Sequence, residues 1–255
     1  MNSILTPIPA RTWMIVIGLI LGSVVQARAD TLARYTFTGS SLATSDSDGN
    51  SVASAITVNS NSTKGFSTGG QSAGTTAASA PVYYFRTDGT AATEGAADDY
   101  LQFTLTVGSG FTADLAKIGF DHGATAGSDS DNIISNWQIR YSFDGFATTT
   151  ATIGTSTVNV SPGANQSANY IHYEIGLDGI SALQSIGANS TVTFRLYAFD
   201  NLSGTSSTSG VNRIDNIQVD GVVAASAVPE PSACVLVAGL TGLAVAGSRR
   251  RRREA

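Results

Sequence analysis

Apolar and polar residues alternate through the middle of the chain in short runs separated by Gly, Asn, Asp, Ser and Thr. This is the period-two pattern of strands with one buried face. Ala33, Tyr35 and Phe37 alternate with Arg34, Thr36 and Thr38, and Leu101, Phe103, Leu105 and Val107 with Gln102, Thr104 and Thr106. The pattern returns at Trp137, Ile139, Tyr141 and Phe143, at Ile171, Tyr173 and Ile175, and at Val192, Phe194, Leu196 and Ala198. Less regular runs at 52–58, 81–86, 117–120 and 151–160, with 211–219, bring the set to about ten strands. Helical spacing is confined to Ile180, Leu183 and Ile186, enough for one or two turns. Strands with one apolar face each need a second sheet to cover them, so the pattern predicts an all-β, antiparallel β-sandwich of jelly-roll type. The Ser-, Thr-, Gly- and Ala-rich stretch 60–80 reads as a long mobile loop.

The last run breaks the alternation. Ile214 has even parity while Ile217 and Val219 are odd, and all three share one face only if a β-bulge near Asp215 and Asn216 resets the register.

Two longer apolar segments flank this body. Trp13 to Val25 is apolar apart from Gly18, Gly22 and Ser23, and only Arg11 precedes it. It is shorter than the roughly 20 residues of a membrane span and has the length of a secretory signal core. Ala27 and Ala29 supply the small residues of a cleavage site before Asp30, with a cut after Ala27 as the alternative. At the other end, Ala233 to Gly247 carries no charge, and Arg249, Arg250, Arg251, Arg252 and Arg253 follow. As a transmembrane helix this segment would be about 22 Å long against a hydrocarbon core of about 30 Å, short for a permanent span. Arginine stems that snorkel to the interface help cover the difference, and the Arg block acts as a stop-transfer signal that holds this end in the cytoplasm. The chain thus divides into a signal peptide and its helix (1–29), a sandwich domain (30–227) and a tail (228–255).

Directly before the second segment stands Val228-Pro229-Glu230-Pro231-Ser232. Motif, apolar segment and Arg cluster in that order resemble the PEP-CTERM sorting signal of bacterial surface proteins. The resemblance implies recognition of Val228, Pro229, Glu230 and Pro231 by an exosortase, a membrane-embedded cysteine protease-transpeptidase, and an association with exopolysaccharide production. Prolines on both sides of Glu230 keep the segment extended and outside any helix, so it is a protease substrate and not a catalyst. Within the body, 33–48, Thr193-Phe194-Arg195-Leu196-Tyr197 and Arg213-Ile214-Asp215-Asn216-Ile217 are similar to the globular segment that precedes many such tails. They resemble, more distantly, jelly-roll carbohydrate-binding modules, in which first and last strands lie close together and some members hold a structural calcium there.

Charge narrows the partners. Residues 30–227 hold seven basic and seventeen acidic side chains, a net of −10 that the Arg-rich tail masks in the whole-chain value of −5. Such a surface repels nucleic acid and anionic lipid. The single cysteine, Cys234, lies in the tail, so the exported domain has no disulfide and depends on core burial.

Candidate chemistry in the body is sparse. Gly70-Gln71-Ser72-Ala73-Gly74 fits a nucleophile elbow by letter, but lacks the preceding strand and following helix that expose the serine. His122 and His172 are too few for a metal site of their own and read as solvated or loop-bonded. Glycosidase chemistry needs facing carboxylates, whereas neighbours such as Asp98 and Asp99 point to opposite sides of a strand, and Glu94 and Glu174 are the only body glutamates. Asp46-Ser47-Asp48-Gly49-Asn50 begins like a calcium loop but departs from an EF-hand at Ser51 and Thr57. With Asp129, Asp131 and Asp215 it reads first as solvated turn residues, so no cofactor is expected, with a structural calcium as the alternative. Tyr83, Tyr84, Tyr100, Tyr170 and Tyr197 are the aromatics available to stack on sugar rings, and core or sheet-face packing explains most of them equally well. The expectation is a non-enzymatic surface or matrix protein sorted through its tail, with a glycan-binding module and a hydrolase with an unrecognised site as alternatives.

Overall fold

A computed structural model describes residues 29–45, 48–59, 64–67, 82–86, 100–125, 133–148, 150–160, 170–199 and 211–226. The signal segment up to Arg28 and the tail from Val228 lie outside these residues. So do Ser72, Glu94, Asp98, Asp99, Asp129 and Asp131. Among the described residues no helix is long and apolar enough to cross a membrane.

Among the described residues, twelve strands form two antiparallel six-stranded sheets. The first contains β1 (Asp30–Tyr35), β4 (Lys64–Ser67), β5 (Val82–Arg86), β7 (Phe111–Thr125), β10 (Ile171–Gly176) and β12 (Val211–Ala225). The second contains β2 (Ser51–Ala53), β3 (Thr57–Asn59), β6 (Tyr100–Val107), β8 (Ile133–Ser142), β9 (Ala151–Val160) and β11 (Thr191–Phe199). Only the β2–β3, β4–β5 and β8–β9 connections stay within one sheet; the others cross from sheet to sheet. The order β10-β7-β12-β5-β4 places β12 at the centre of the first sheet, with β1 paired to its later half, so the first and last strands are neighbours. In the second sheet the order is β2-β6-β11-β8-β9, with β3 also on β6.

Alternation explains the core. In β6 the burial pattern is strictly alternating, with Leu101, Phe103, Leu105 and Val107 buried. Opposite them on β11 lie Val192, Phe194 and Leu196, so that the Phe103 and Phe194 rings stack at 5.3 Å. The sheets lock through aromatic pairs: Tyr35 meets Phe103 at 5.1 Å, and Phe120 meets Trp137 edge-on at 4.9 Å. Offset and edge-to-face contacts of this kind add to the burial term that holds the layers together.

The predicted irregularity in the last strand is present. Pairing between β12 and β7 shifts between Asp215 and Gln218, and Asn216 adopts a left-handed φ of 49°. The extra residue brings Ile214, Ile217 and Val219 to one buried face.

Several expectations are corrected. Residues 60–80 are not simply a loop, because Lys64–Ser67 pair with β5. The helical spacing at Ile180, Leu183 and Ile186 yields only a 3-10 turn, Ser181–Leu183, after which Ile186 bridges to Ala113. The first strand ends at Tyr35; Phe37 stays buried but turns left-handed with φ 52°. Phe143 and Ile171, both on predicted inward positions, are exposed at their strands' ends.

Candidate functional site: a polar groove on the first sheet

Ile118, Phe120 and His122 of β7 point into the molecule and are buried, which turns Lys117, Gly119 and Asp121 to the outside. Register then decides their neighbours. His172 of β10 and Asp215 of β12 flank Asp121, while Glu174 and Gln218 flank Gly119. Asp220 lies opposite Lys117, and Arg34 of β1 lies opposite Gln218. Gly119 contributes no side chain, so the sheet backbone forms the floor between these polar walls. The result is an open groove of about 300 Å³ across β10, β7, β12 and β1.

The bulge organises the centre of the groove. With its backbone turned left-handed, Asn216 donates from Nδ2 to Asp121 Oδ2 at 2.9 Å, and its backbone N–H donates to Asp215 Oδ1 at 2.7 Å. The other oxygen of Asp121 lies 2.6 Å from His172 Nδ1. Asp121 is 1% exposed whereas the His172 side chain is 53% exposed, so a buried carboxylate orients a solvent-facing imidazole. An ionised Asp121 makes Nδ1 the protonated nitrogen and leaves Nε2 as an acceptor in the neutral ring.

Around this centre, Lys117 Nζ donates to Glu174 Oε2 at 2.6 Å and lies 3.8 Å from Asp220 Oδ2. The hydrogen bond to Glu174 raises the Lys117 pKa above its ordinary value, and the same bond lowers that of Glu174. Gln218 Nε2 donates to Asp220 Oδ1 at 2.8 Å, and Thr31 Oγ1 donates to the same oxygen at 3.1 Å. The walls thus carry amide, carboxylate, ammonium, guanidinium and imidazole groups, both donors and acceptors of hydrogen bonds. Among the described residues no group of three or more His, Cys, Asp or Glu is arranged to hold a metal ion.

His122 corrects the expectation of a solvated or loop histidine. It is fully buried in β7, its Nε2 lies 2.9 Å from Asn212 Oδ1, and burial lowers its pKa to about 4. The tyrosines whose side chains are described follow the packing alternative. Tyr83 is in the core, and Tyr170 lies buried against Gly123, its pKa pushed up to about 12 by that burial. Tyr84 is described through its backbone pairing with Arg213. Tyr197 is 1% exposed outside the core cluster, beneath Arg140. Tyr100 is half-buried and has Arg195 over its ring at 4.3 Å.

Arg34, Lys117, Asp121, Asn216, Gln218 and Asp220 were not singled out together from the sequence. The available signals were Gly119 and Gly123 at outward positions of a long strand, and the parity break beside Asn216.

No protein-family description matches the chain, and neither does any curated protein. Solved structures give distant likenesses. The CBM22-1 xylan-binding domain of Paenibacillus barcinonensis Xyn10C is 10% identical, covering 78% of this chain and 99% of that one, at a TM-score of 0.35. The K3 cleaved adhesin domain of Lys-gingipain from Porphyromonas gingivalis is 11% identical over 74% of this chain and 99% of its own, at 0.38. A non-crystalline-cellulose-specific module, CBM28, is 14% identical over 62% and 81%, at 0.36. Likeness at this level assigns no function.

Proposed function

We propose that this chain is the precursor of an exported surface or matrix protein of the PEP-CTERM type, and that its body binds polysaccharide in the groove on the first sheet without catalysing a reaction. The observation that carries the binding reading is the groove itself. Eight polar or charged side chains from four strands surround a glycine floor in an open trough. A hydroxyl-rich polymer is the ligand class whose hydrogen-bonding groups match such walls. Positive and negative groups are interleaved, which favours neutral or mixed-charge sugars over nucleic acid.

Glu174→Ala and Gln218→Ala, each at a partly exposed position, are expected to weaken binding of the full-length protein to extracted exopolysaccharide by about tenfold each. Titration calorimetry measures this. Undiminished affinity in both variants would remove the groove from consideration.

Export and sorting are supported by the order of the signal core, the Pro229-Glu230-Pro231 motif, the apolar segment and the Arg block. The partner implied is an exosortase-type membrane protease. The protein begins as an inner-membrane precursor held through its C-terminal helix and is then released to the cell surface or matrix. In cells containing the protease, intact-mass analysis is expected to find a C-terminus near Pro229; in cells lacking it, the tail should persist through Ala255. An uncleaved tail in both would leave a plain membrane anchor in place of a sorting signal.

A further inference from the structure

Hydrogen bonding inside the groove leaves its charged groups unevenly engaged. Each of its three carboxylates is turned onto donors of the groove itself. Asp121 is paired with His172 Nδ1 and accepts from Asn216 Nδ2, and Glu174 accepts from Lys117. Asp220 accepts from Gln218 and from Thr31. Of the two full cations, Lys117 stands between Glu174 and Asp220, at 2.6 and 3.8 Å. Arg34 differs. Among the described residues its guanidinium has neither a hydrogen-bond nor an ion-pair partner.

The backbone holds Arg34 in place on both sides. It pairs with Gln218 of β12, while its carbonyl accepts from the Ser45 amide at 2.8 Å and its own amide donates to Thr44 Oγ1 at 3.3 Å. The side chain is exposed and lines the groove. Across the ladder it faces Gln218 and then Gly119, and neither supplies a carboxylate. Five N–H donors in a planar fork are therefore open at this end of the groove, while the carboxylates of the walls already have donors.

We propose that the polysaccharide in this groove carries spaced carboxylate groups, as on uronic acid residues, and that Arg34 is the residue that reads them. The proposal rests on the groove reading and sharpens it by naming the charge of the ligand. A carboxylate accepts two parallel bonds from a guanidinium, and bonds between ionised partners are roughly twice as strong as neutral ones. A wholly neutral polymer leaves that fork to water. A densely charged one meets Asp121, Glu174 and Asp220 beyond Arg34, in a body whose net charge is −10. Charges farther apart than about 8 Å are largely screened at physiological ionic strength, so an isolated anion at Arg34 escapes most of that repulsion. Carboxylates separated by neutral sugars meet both conditions.

Exopolysaccharide extracted from the producing cells, used native and after chemical reduction of its carboxyl groups to alcohols, tests this by titration calorimetry on the full-length protein. Reduction keeps the sugar backbone and removes the charge. The wild type is expected to bind the native polymer about tenfold more tightly than the reduced one. Arg34→Gln should weaken binding of the native polymer by about that factor and change binding of the reduced polymer far less. Arg34→Lys keeps the charge without the fork and should fall between the two. Because Arg34 is exposed, both variants should melt with the wild type. Equal affinity for native and reduced polymer would overturn the proposal, as would an Arg34→Gln loss of the same size on both. With either result, Glu174→Ala and Gln218→Ala still weakening both polymers would leave the groove standing. No binding to either polymer, or affinity untouched by all four variants, would remove the groove and the proposal together.

Discussion

Phe120→Ala is expected to lower the unfolding free energy by about 3–5 kcal/mol, the range for truncating a fully buried phenylalanine. The ring has no solvent exposure and sits on β7, which pairs with β10 on one side and β12 on the other. It meets Trp137 of the second sheet edge-on and stacks on Tyr173 of β10 at 5.5 Å. The substitution therefore opens a void at the contact between the sheets and removes two ring contacts together. Val52→Ala is the matching control, because Val52 is largely exposed on the short edge strand β2 and should change stability by no more than about 0.5 kcal/mol. Urea unfolding of both variants checks the contrast. A cost below about 1 kcal/mol for Phe120→Ala would mean that the sheets do not depend on this contact.

Acid should weaken the fold through His122. Its ordinary pKa of 6.5 falls to about 4 in the folded protein because burial penalises the charged ring, and the hydrogen bond to Asn212 offsets only part of that penalty. Between these two values the unfolded chain holds a proton at this residue that the folded one does not. Stability is therefore fully present above pH 6.5, falls as the pH drops toward 4, and levels off below. The total is on the order of 3 kcal/mol, since each pKa unit is worth about 1.4 kcal/mol. His122→Gln removes the titration while keeping a polar group near Asn212. The wild type should lose stability more steeply than this variant across that window in urea titrations at stepped pH. Parallel pH profiles would show that His122 is not the acid-sensitive group.

Much of the core was legible from the chain. The strict alternation at 101–107 identified the buried residues correctly, because the side-chain period of a strand is two wherever it pairs; at 192–198 it named Val192, Phe194, Leu196 and Ala198, but Thr193 and Tyr197 on the opposite face are buried too. The parity break at Ile214, Ile217 and Val219 located the bulge for the same reason. Short or irregular elements were not legible. Lys64–Ser67 is four residues with a glycine inside a polar stretch, and it is a strand only because β5 supplies its partner. Phe143 follows the alternation faithfully yet is exposed, because the strand ends at Ser142 and the turn after it carries it outward.

The groove was less legible still. Asp121 and His172 stand 51 residues apart, and Asn216 and Asp121 stand 95 apart, so no local pattern links them. The run at 117–120 was read as ending before His122, which was expected to be solvated; the strand continues to Thr125, and the pairing of β7 with β12 brings Asn212 close enough to make the burial of His122 tolerable.

By itself, the sequence determined which residues alternate, hence that strands form and which face of each is apolar. It also carries the apolar run at 13–25, the Pro229-Glu230-Pro231 motif and the Arg block, on whose linear order the sorting proposal rests. Tertiary structure alone decided which polar side chains meet on the groove. Backbone amides and carbonyls are the same in every register, so the strand ladder does not encode its own alignment. Alignment is set by how the apolar faces fill the space between the two sheets, and the outward side chains receive their neighbours as a consequence.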